Sequence, residues 1–103
     1  MATTITNPFD FYQFCEYWGT YPGVKDGVAF RFHFPNGYGA SVVRAKGTYG
    51  ANKGLYELAV LKYDKDGSFD ICYDTEIAKD VIGGLNVKEV NNLLSKISII
   101  EFN

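Results

Sequence analysis

The chain has 103 residues, of which 47% are hydrophobic and 17% aromatic, and it carries a net charge of −2. This apolar content supports one core in a chain too short for two, so we expect a single domain over residues 1–103. No apolar run approaches the roughly 20 residues that a transmembrane helix needs, and the first residues lack a signal-peptide pattern. The composition therefore predicts a cytoplasmic protein with no membrane partner.

Both ends of the chain are predicted to contain a helix. Residues 7–10 (Asn-Pro-Phe-Asp) have the composition of a helix start, and apolar residues then repeat at helical spacing: Phe11, Phe14, Cys15 and Trp18. Near the other end, Asn86 and Glu89 match a capping box, and a second helical repeat follows: Val90, Leu93, Leu94 and Ile97. We expect helices over residues 8–18 and 87–97.

Four strands are predicted between these helices. Residues 28–34 and 38–45 alternate with a period of two around a Pro-Asn-Gly turn. Residues 55–63 are apolar on both alternations, which is typical of a central strand, and a turn then leads to a fourth strand at residues 68–73. The predicted fold is α+β: a four-stranded antiparallel β-meander with an N-terminal and a C-terminal helix packed on it.

Two stretches near the end of the chain are harder to assign. Residues 74–85 mix acidic with apolar residues and include Gly83-Gly84, so we expect mostly irregular structure. Residues 98–103 are too apolar for a free tail, and we expect them to pack back on the domain or to add an edge strand.

No motif in the sequence supplies the chemistry of a catalytic or metal site. The stretch from Asp64 to Asp70 resembles part of a calcium loop, but Lys62 and Tyr73 stand at two important ligand positions, so a hairpin turn is favoured. One histidine and two cysteines, Cys15 and Cys72, do not make a usual zinc site, and free thiols are favoured over a disulfide between these two. We therefore expect no enzyme activity, cofactor or metal.

The charges divide along the chain, and this suggests a contact surface. Residues 28–56 carry four basic residues and no acidic one, whereas acids outnumber lysines in residues 57–103. The basic residues stand among tyrosines and a glycine-rich loop, residues 47–54, which could suit nucleic acid or a nucleotide. However, the pI of about 5.2 and the small number of cations are unlike those of most nucleic-acid binders.

Several strand and turn segments resemble those of a group of small uncharacterised bacteriophage proteins. The resemblance is carried by Phe34–Arg44 (FPNGYGASVVR), Gly47–Gly50 (GTYG), Gly54–Leu61 (GLYELAVL), Cys72–Thr75 (CYDT) and Asp80–Gly83 (DVIG). It covers residues 28–97 and implies a viral accessory protein in the host cytoplasm, with no catalytic residues to transfer. It also implies binding to a host protein, such as a nuclease of an antiviral defence system.

The leading functional hypothesis is stoichiometric binding to a host or viral protein, with anti-CRISPR-like inhibition of host defence as one form of it. The predicted partner-binding residues combine cations with histidine and a tyrosine: Arg31, His33, Arg44, Lys46, Tyr49 and Lys53. Nucleic-acid or nucleotide binding through the same region is the first alternative. A structural or assembly role, in which an exposed strand edge pairs with another copy of the chain, is the second.

Overall fold

A computed structural model describes residues 7–21, 23, 27–44, 55–77 and 80–101. In these ranges the chain is an α+β structure with one antiparallel sheet and one helix, which confirms the predicted class. The elements in chain order are β1 (Cys15–Thr20), β2 (Val28–His33), β3 (Tyr38–Arg44), β4 (Tyr56–Tyr63), β5 (Phe69–Ile71), β6 (Ile82–Leu85) and α1 (Val87–Ser98). None of the described helices has the length and apolar character needed to cross a membrane.

The sheet is a meander with an interrupted edge. Strands β1 to β5 are neighbours in sequence order, and each pair is antiparallel. Strand β3 takes one side of β4, so β5 and β6 share the other side at opposite ends. Strand β5 pairs with residues 61–63, and β6 pairs with Tyr56 and Leu58. The described sheet therefore has six strands where the sequence predicted four.

The predicted N-terminal helix over residues 8–18 is wrong. Residues Tyr12–Phe14 form a single 3₁₀ turn, and β1 follows at once. Two of the aromatic residues that suggested a helix flank or belong to this turn: Phe11 and Phe14 both pack edge-on against Phe34. Phe9 is fully buried among the rings of β2 and β4. The helical spacing thus reflects the packing of the partly buried Phe11 and Phe14 on Phe34, whereas Trp18 is 47% exposed.

The expectation of mostly irregular structure in residues 74–85 needs a correction at its end. Ile82–Leu85 forms β6, in which Leu85 pairs with Tyr56 and Ile82 pairs with Leu58. Gly84 has a φ of 70°, and the register shifts between the two pairs. This irregularity removes the period-two pattern by which a strand is recognised in a sequence.

Helix α1 confirms the predicted C-terminal helix. The Asn86 side chain accepts a hydrogen bond from the Glu89 N–H at 2.8 Å, and the Glu89 carboxylate accepts one from the Asn86 N–H at 3.1 Å. Val90, Leu94 and Ile97 are fully buried against the sheet. The sheet face that meets α1 is called the inner face below, and the opposite one the outer face.

The turn between β2 and β3 is tied to the end of α1 by Asn36. Its side-chain amide donates to the C=O groups of Ile97 and Ile100 at 2.8 and 2.9 Å, and its side-chain oxygen accepts from the Tyr38 N–H. Carbonyls at the end of a helix lack partners within the helix, and Asn36 donates to one of these, that of Ile97, and to the carbonyl of Ile100 just after the helix. Through Ile100 the chain packs back on the domain, which was one of the two predicted outcomes for residues 98–103.

We predict that Asn36→Ala lowers the free energy of unfolding by about 1–3 kcal/mol, because the helix end and the turn lose their shared hydrogen bonds. Urea denaturation followed by circular dichroism measures this. Asn92→Ala, at an exposed position of α1, is the matched control and should be neutral or slightly stabilising. Equal stability of Asn36→Ala and the unmodified protein would contradict the role given to Asn36.

Candidate functional site

The outer face of the sheet carries a group of polar and aromatic side chains that contact one another. On β2, Arg31 and His33 point to this face, because Phe30 and Phe32 between and beside them are buried in the core. Side chains from β1, β4 and β5 meet them there. The group is called the Glu16 cluster and consists of Glu16, Arg31, His33, Tyr63 and Phe69.

A bulge in β1 places Glu16 in the cluster. Cys15 pairs with Phe32 and Tyr17 pairs with Arg31, so Glu16 is an extra residue between two consecutive pairs. Such a bulge redirects a side chain that strict alternation would send elsewhere. As a result, Glu16 and Tyr17 both contact side chains of the outer face.

The Glu16 carboxylate is the centre of the polar contacts. Its Oε2 accepts hydrogen bonds from the Arg31 Nε at 2.5 Å and from the Tyr63 hydroxyl at 2.8 Å. Its Oε1 lies 3.5 Å from the His33 Nδ1. One carboxylate therefore links side chains from β1, β2 and β4, and it neutralises the charge of Arg31.

Gly39 makes room for the contact between Tyr63 and His33, which crosses strand β3. It lies on β3 between His33 and Leu61, and a Cβ at this position would be 2.8 Å from the Tyr63 ring and 2.0 Å from the Phe32 carbonyl oxygen. Because Gly39 has no side chain, the Tyr63 ring lies over β3 and stacks on His33 with centroids 3.6 Å apart and planes at 2°.

Arg31 lies between two further rings. Its Cζ is 4.8 Å from the centroid of Phe69 on β5 and 5.8 Å from that of Tyr17 on β1. These distances are within the range of cation–π attraction. Hydrogen bonding and stacking together hold the guanidinium in one position on the outer face.

These contacts shift three pKa values in the cluster. Partial burial by itself would lower the pKa of Arg31, but the hydrogen bond to Glu16 and the charge of Glu16 raise it above its ordinary value. Partial burial by itself would raise the pKa of the Glu16 carboxyl, but hydrogen bonds from Arg31 and Tyr63 outweigh burial and hold this pKa below its ordinary value. Burial, together with the hydrogen bond to Glu16, raises the pKa of the Tyr63 hydroxyl above its ordinary value. Glu16 is therefore charged, and Tyr63 neutral, over a wide pH range.

A shallow groove of about 200 Å³ lies beside the cluster on the outer face. Its lining is mainly aromatic and aliphatic, with Arg31 as its charged residue: Tyr17, Tyr21, Ala29, Phe30, Arg31, Ser41, Val43 and Phe69. The charge of Arg31 is already matched by Glu16. The groove thus offers a neutral, aromatic surface held by the strands.

The cluster contains a carboxylate and an imidazole, but the contacts of Glu16 do not suit it to act as a general base. Glu16 is bound by two donors and its lowered pKa makes it a weak base. Burial raises the pKa of the Cys15 thiol, which disfavours the reactive thiolate. Both cysteines are free. Within the described ranges, no three His, Cys, Asp or Glu side chains are placed to hold a metal ion.

Comparison with protein-family models, with curated proteins and with solved structures finds no match for this chain. The resemblance to bacteriophage proteins accordingly stays a prediction. The functional interpretation depends on the geometry of the outer face.

The structure separates the predicted partner-binding residues. Arg31 and His33 lie together in the Glu16 cluster, whereas Arg44 pairs with Val28 on the inner side and its Cζ lies 5.1 Å from the Tyr56 ring centroid. The other three predicted residues, Lys46, Tyr49 and Lys53, lie outside the described residues. The described cations therefore do not form one continuous basic surface.

Sequence analysis missed Glu16, Tyr63 and Phe69 as members of a site. Glu16 was assigned to a helix, and the bulge that positions it has no sequence signature. Tyr63 and Phe69 could have been found from the small outer-face residues of β3. Gly39 and Ser41 leave space there for large side chains from neighbouring strands.

We predict that Gly39→Ala lowers the free energy of unfolding by about 2–3 kcal/mol, because the added methyl group meets backbone and the Tyr63 ring. Thermal and urea denaturation measure the loss. Gly19→Ala is the matched control, since its nearest contact is the Tyr17 hydroxyl at 3.3 Å. If the two variants lost equal stability, the close approach at Gly39 would not be the cause.

We also predict that the contribution of Glu16 to stability depends on pH. Because the pKa of Glu16 is lowered on folding, this contribution is present above the ordinary value of 4.5 and is lost as pH falls through the folded value. The stability difference between the unmodified protein and Glu16→Gln should therefore shrink below pH 4.5. Urea denaturation across pH 3–7 measures it. A difference that stayed constant across this pH range would contradict the prediction.

Proposed function

We propose that the chain acts by stoichiometric binding to another protein and that the outer face of the sheet is the contact surface. The observation that carries this proposal is the groove in which Tyr17, Tyr21 and Phe69 surround a charge-neutral floor next to Arg31. Aromatic residues and arginine are the side chains that most often dominate the binding energy of protein interfaces.

The way these side chains are held supports the proposal. Arg31 is fixed by Glu16 and by two rings, so it loses little side-chain freedom when a partner binds. The groove volume of about 200 Å³ is below the roughly 300–1,000 Å³ typical of small-molecule sites. A single large apolar side chain of a partner protein suits this space better than a cofactor does.

The biological setting of the proposal comes from the resemblance to bacteriophage proteins. A viral accessory protein that binds a host or viral protein, for example to inhibit antiviral defence in an anti-CRISPR-like manner, needs surface complementarity and no chemistry of its own. A neutralised Glu16–Arg31 pair and an aromatic groove are compatible with this role.

Nucleic-acid binding is the less supported function. Arg31 is neutralised by Glu16, and Arg44 lies on the other side of the sheet. Phosphate binding needs several unpaired cations on one surface and weakens steeply with added salt. A labelled single-stranded oligonucleotide that bound tightly at low salt, and lost affinity uniformly with salt, would favour this alternative.

We predict that Tyr21→Ser abolishes capture of the partner, with a loss of about 2 kcal/mol or more in binding free energy, because an aromatic wall of the groove is removed. Quantitative affinity capture from host lysate, followed by titration of the captured protein, measures this. Tyr12→Ser is the matched control, because Tyr12 is 61% exposed and does not line the groove.

Two different results would contradict the proposed interface and the proposed binding function. Equal capture by Tyr21→Ser and the unmodified protein would remove the outer face from the interface. Absence of any captured protein at micromolar concentration, together with self-association in light scattering at two concentrations, would favour the assembly role instead.

A further inference from the structure

Strand β5 leaves backbone groups without partners along one side. Hydrogen bonds from the Asp64 N–H to the Ser68 C=O and from the Cys72 N–H to the Val60 C=O fix the register with β4. Since bonded and non-bonded pairs alternate in an antiparallel ladder, the N–H and C=O groups of Phe69 and Ile71 point away from β4. In the described part of the chain, none of these four groups has a hydrogen-bond partner.

The outer-face side of this edge is apolar. Phe69 and Ile71 pair with Tyr63 and Leu61, and they are 39% and 44% exposed. Tyr73 follows at the next alternate position and is 52% exposed. Edge strands are often protected by lysine, proline or a bulge, and residues 69–73 contain no lysine or proline. The protection of β5 comes from its short length of three residues and from the charge of Asp70, which leaves its outer-face side open to apolar contact.

The other side of the same edge is acidic. A groove of about 220 Å³ runs along the strand; its charged lining is Asp64, Asp70, Asp74 and Lys62, and residues 71–73 complete it. The three aspartates are exposed. Three carboxylates against one ammonium group give this side a net negative charge, which complements a basic partner.

We propose that the β5 edge binds an extended segment of a partner protein in which apolar and basic residues alternate, adding that segment to the sheet as a further strand. The inference rests on the proposed function, because the segment belongs to the protein that contacts the outer face. Successive side chains of a strand point to opposite faces. The apolar residues of the segment therefore meet Phe69 and Ile71, and the basic residues meet the aspartates.

The same charges disfavour a second copy of β5 as the occupant. Pairing of β5 with itself would bring aspartates such as Asp70 from the two copies together along the new strand pair. Like charges opposite each other destabilise a pair of strands. A basic segment of a different protein removes this repulsion and satisfies the same backbone groups.

The test uses labelled synthetic peptides and the full chain, with fluorescence anisotropy as the readout. A peptide in which valine and lysine alternate should bind. A peptide with the same residues in two blocks, and one with glutamate in place of lysine, should each bind at least about tenfold more weakly. Amide signals of Phe69 and Ile71 should shift in NMR spectra when the first peptide is added.

Substitutions in β5 identify the site. Ile71→Pro removes the outward N–H and spares the bonds to β4, so it should weaken peptide binding by about tenfold or more. Ile71→Val, which keeps the N–H, is the matched control and should bind as the unmodified chain does. Combined Asp70→Asn and Asp74→Asn should also weaken binding and reduce its salt dependence, which keeps the test valid if Ile71→Pro does not fold.

The results that overturn the inference differ from those that overturn the proposed function. The inference fails if the alternating basic peptide does not bind, if the glutamate peptide binds equally well, or if folded Ile71→Pro binds normally. It also fails if Ile71→Pro abolishes self-association, because the occupant is then a second copy. In each of these cases, loss of partner capture by Tyr21→Ser would still support binding through the outer face.

Discussion

The contact of the Tyr63 ring with His33 across Gly39 is the constraint on which the outer face depends. The ring crosses β3 only because Gly39 has no side chain, and its hydroxyl then reaches Glu16 on β1. A single side chain therefore joins the fourth strand to the second and first. Without it, Glu16 and Arg31 would lie on an open sheet surface where ion pairs contribute little.

The two faces of the sheet are stabilised in different ways. On the inner face, Phe9, Phe30 and Tyr56 pack edge to face beneath the buried side of α1, so apolar burial dominates. On the outer face, rings alternate with the Glu16–Arg31 pair, and no described helix covers them. Ala59, Leu61 and Tyr63 are buried on this face, whereas Phe69 and Ile71 at its β5 edge are exposed. The proposed interface uses this partly exposed region, where Arg31 is held in place by Glu16.

The sequence predicted the elements whose pattern is regular and local. The capping box at Asn86 and the alternation along β2 and β3 were sufficient, because each pattern is uninterrupted. Strand β4 was recognised instead by apolar residues on both alternations. The bulge at Glu16 and the positive φ at Gly84 interrupt the regular pattern, so β6 and the site carboxylate were missed. In residues 11–18 the aromatic spacing fits a helix, but the chain makes a 3₁₀ turn and then enters β1, whose pairing with β2 involves residues distant in sequence.

The position of Phe9 also bears on the order in which the molecule folds. This side chain comes from the start of the chain, yet it lies fully buried in the core, and the neighbouring Asp10 N–H donates to Asn91 in α1. The hairpins of the meander can form early, since their residues are close in sequence. The complete core contains both Phe9 and the buried side of α1. During synthesis on the ribosome, the core can therefore form only after α1 has emerged.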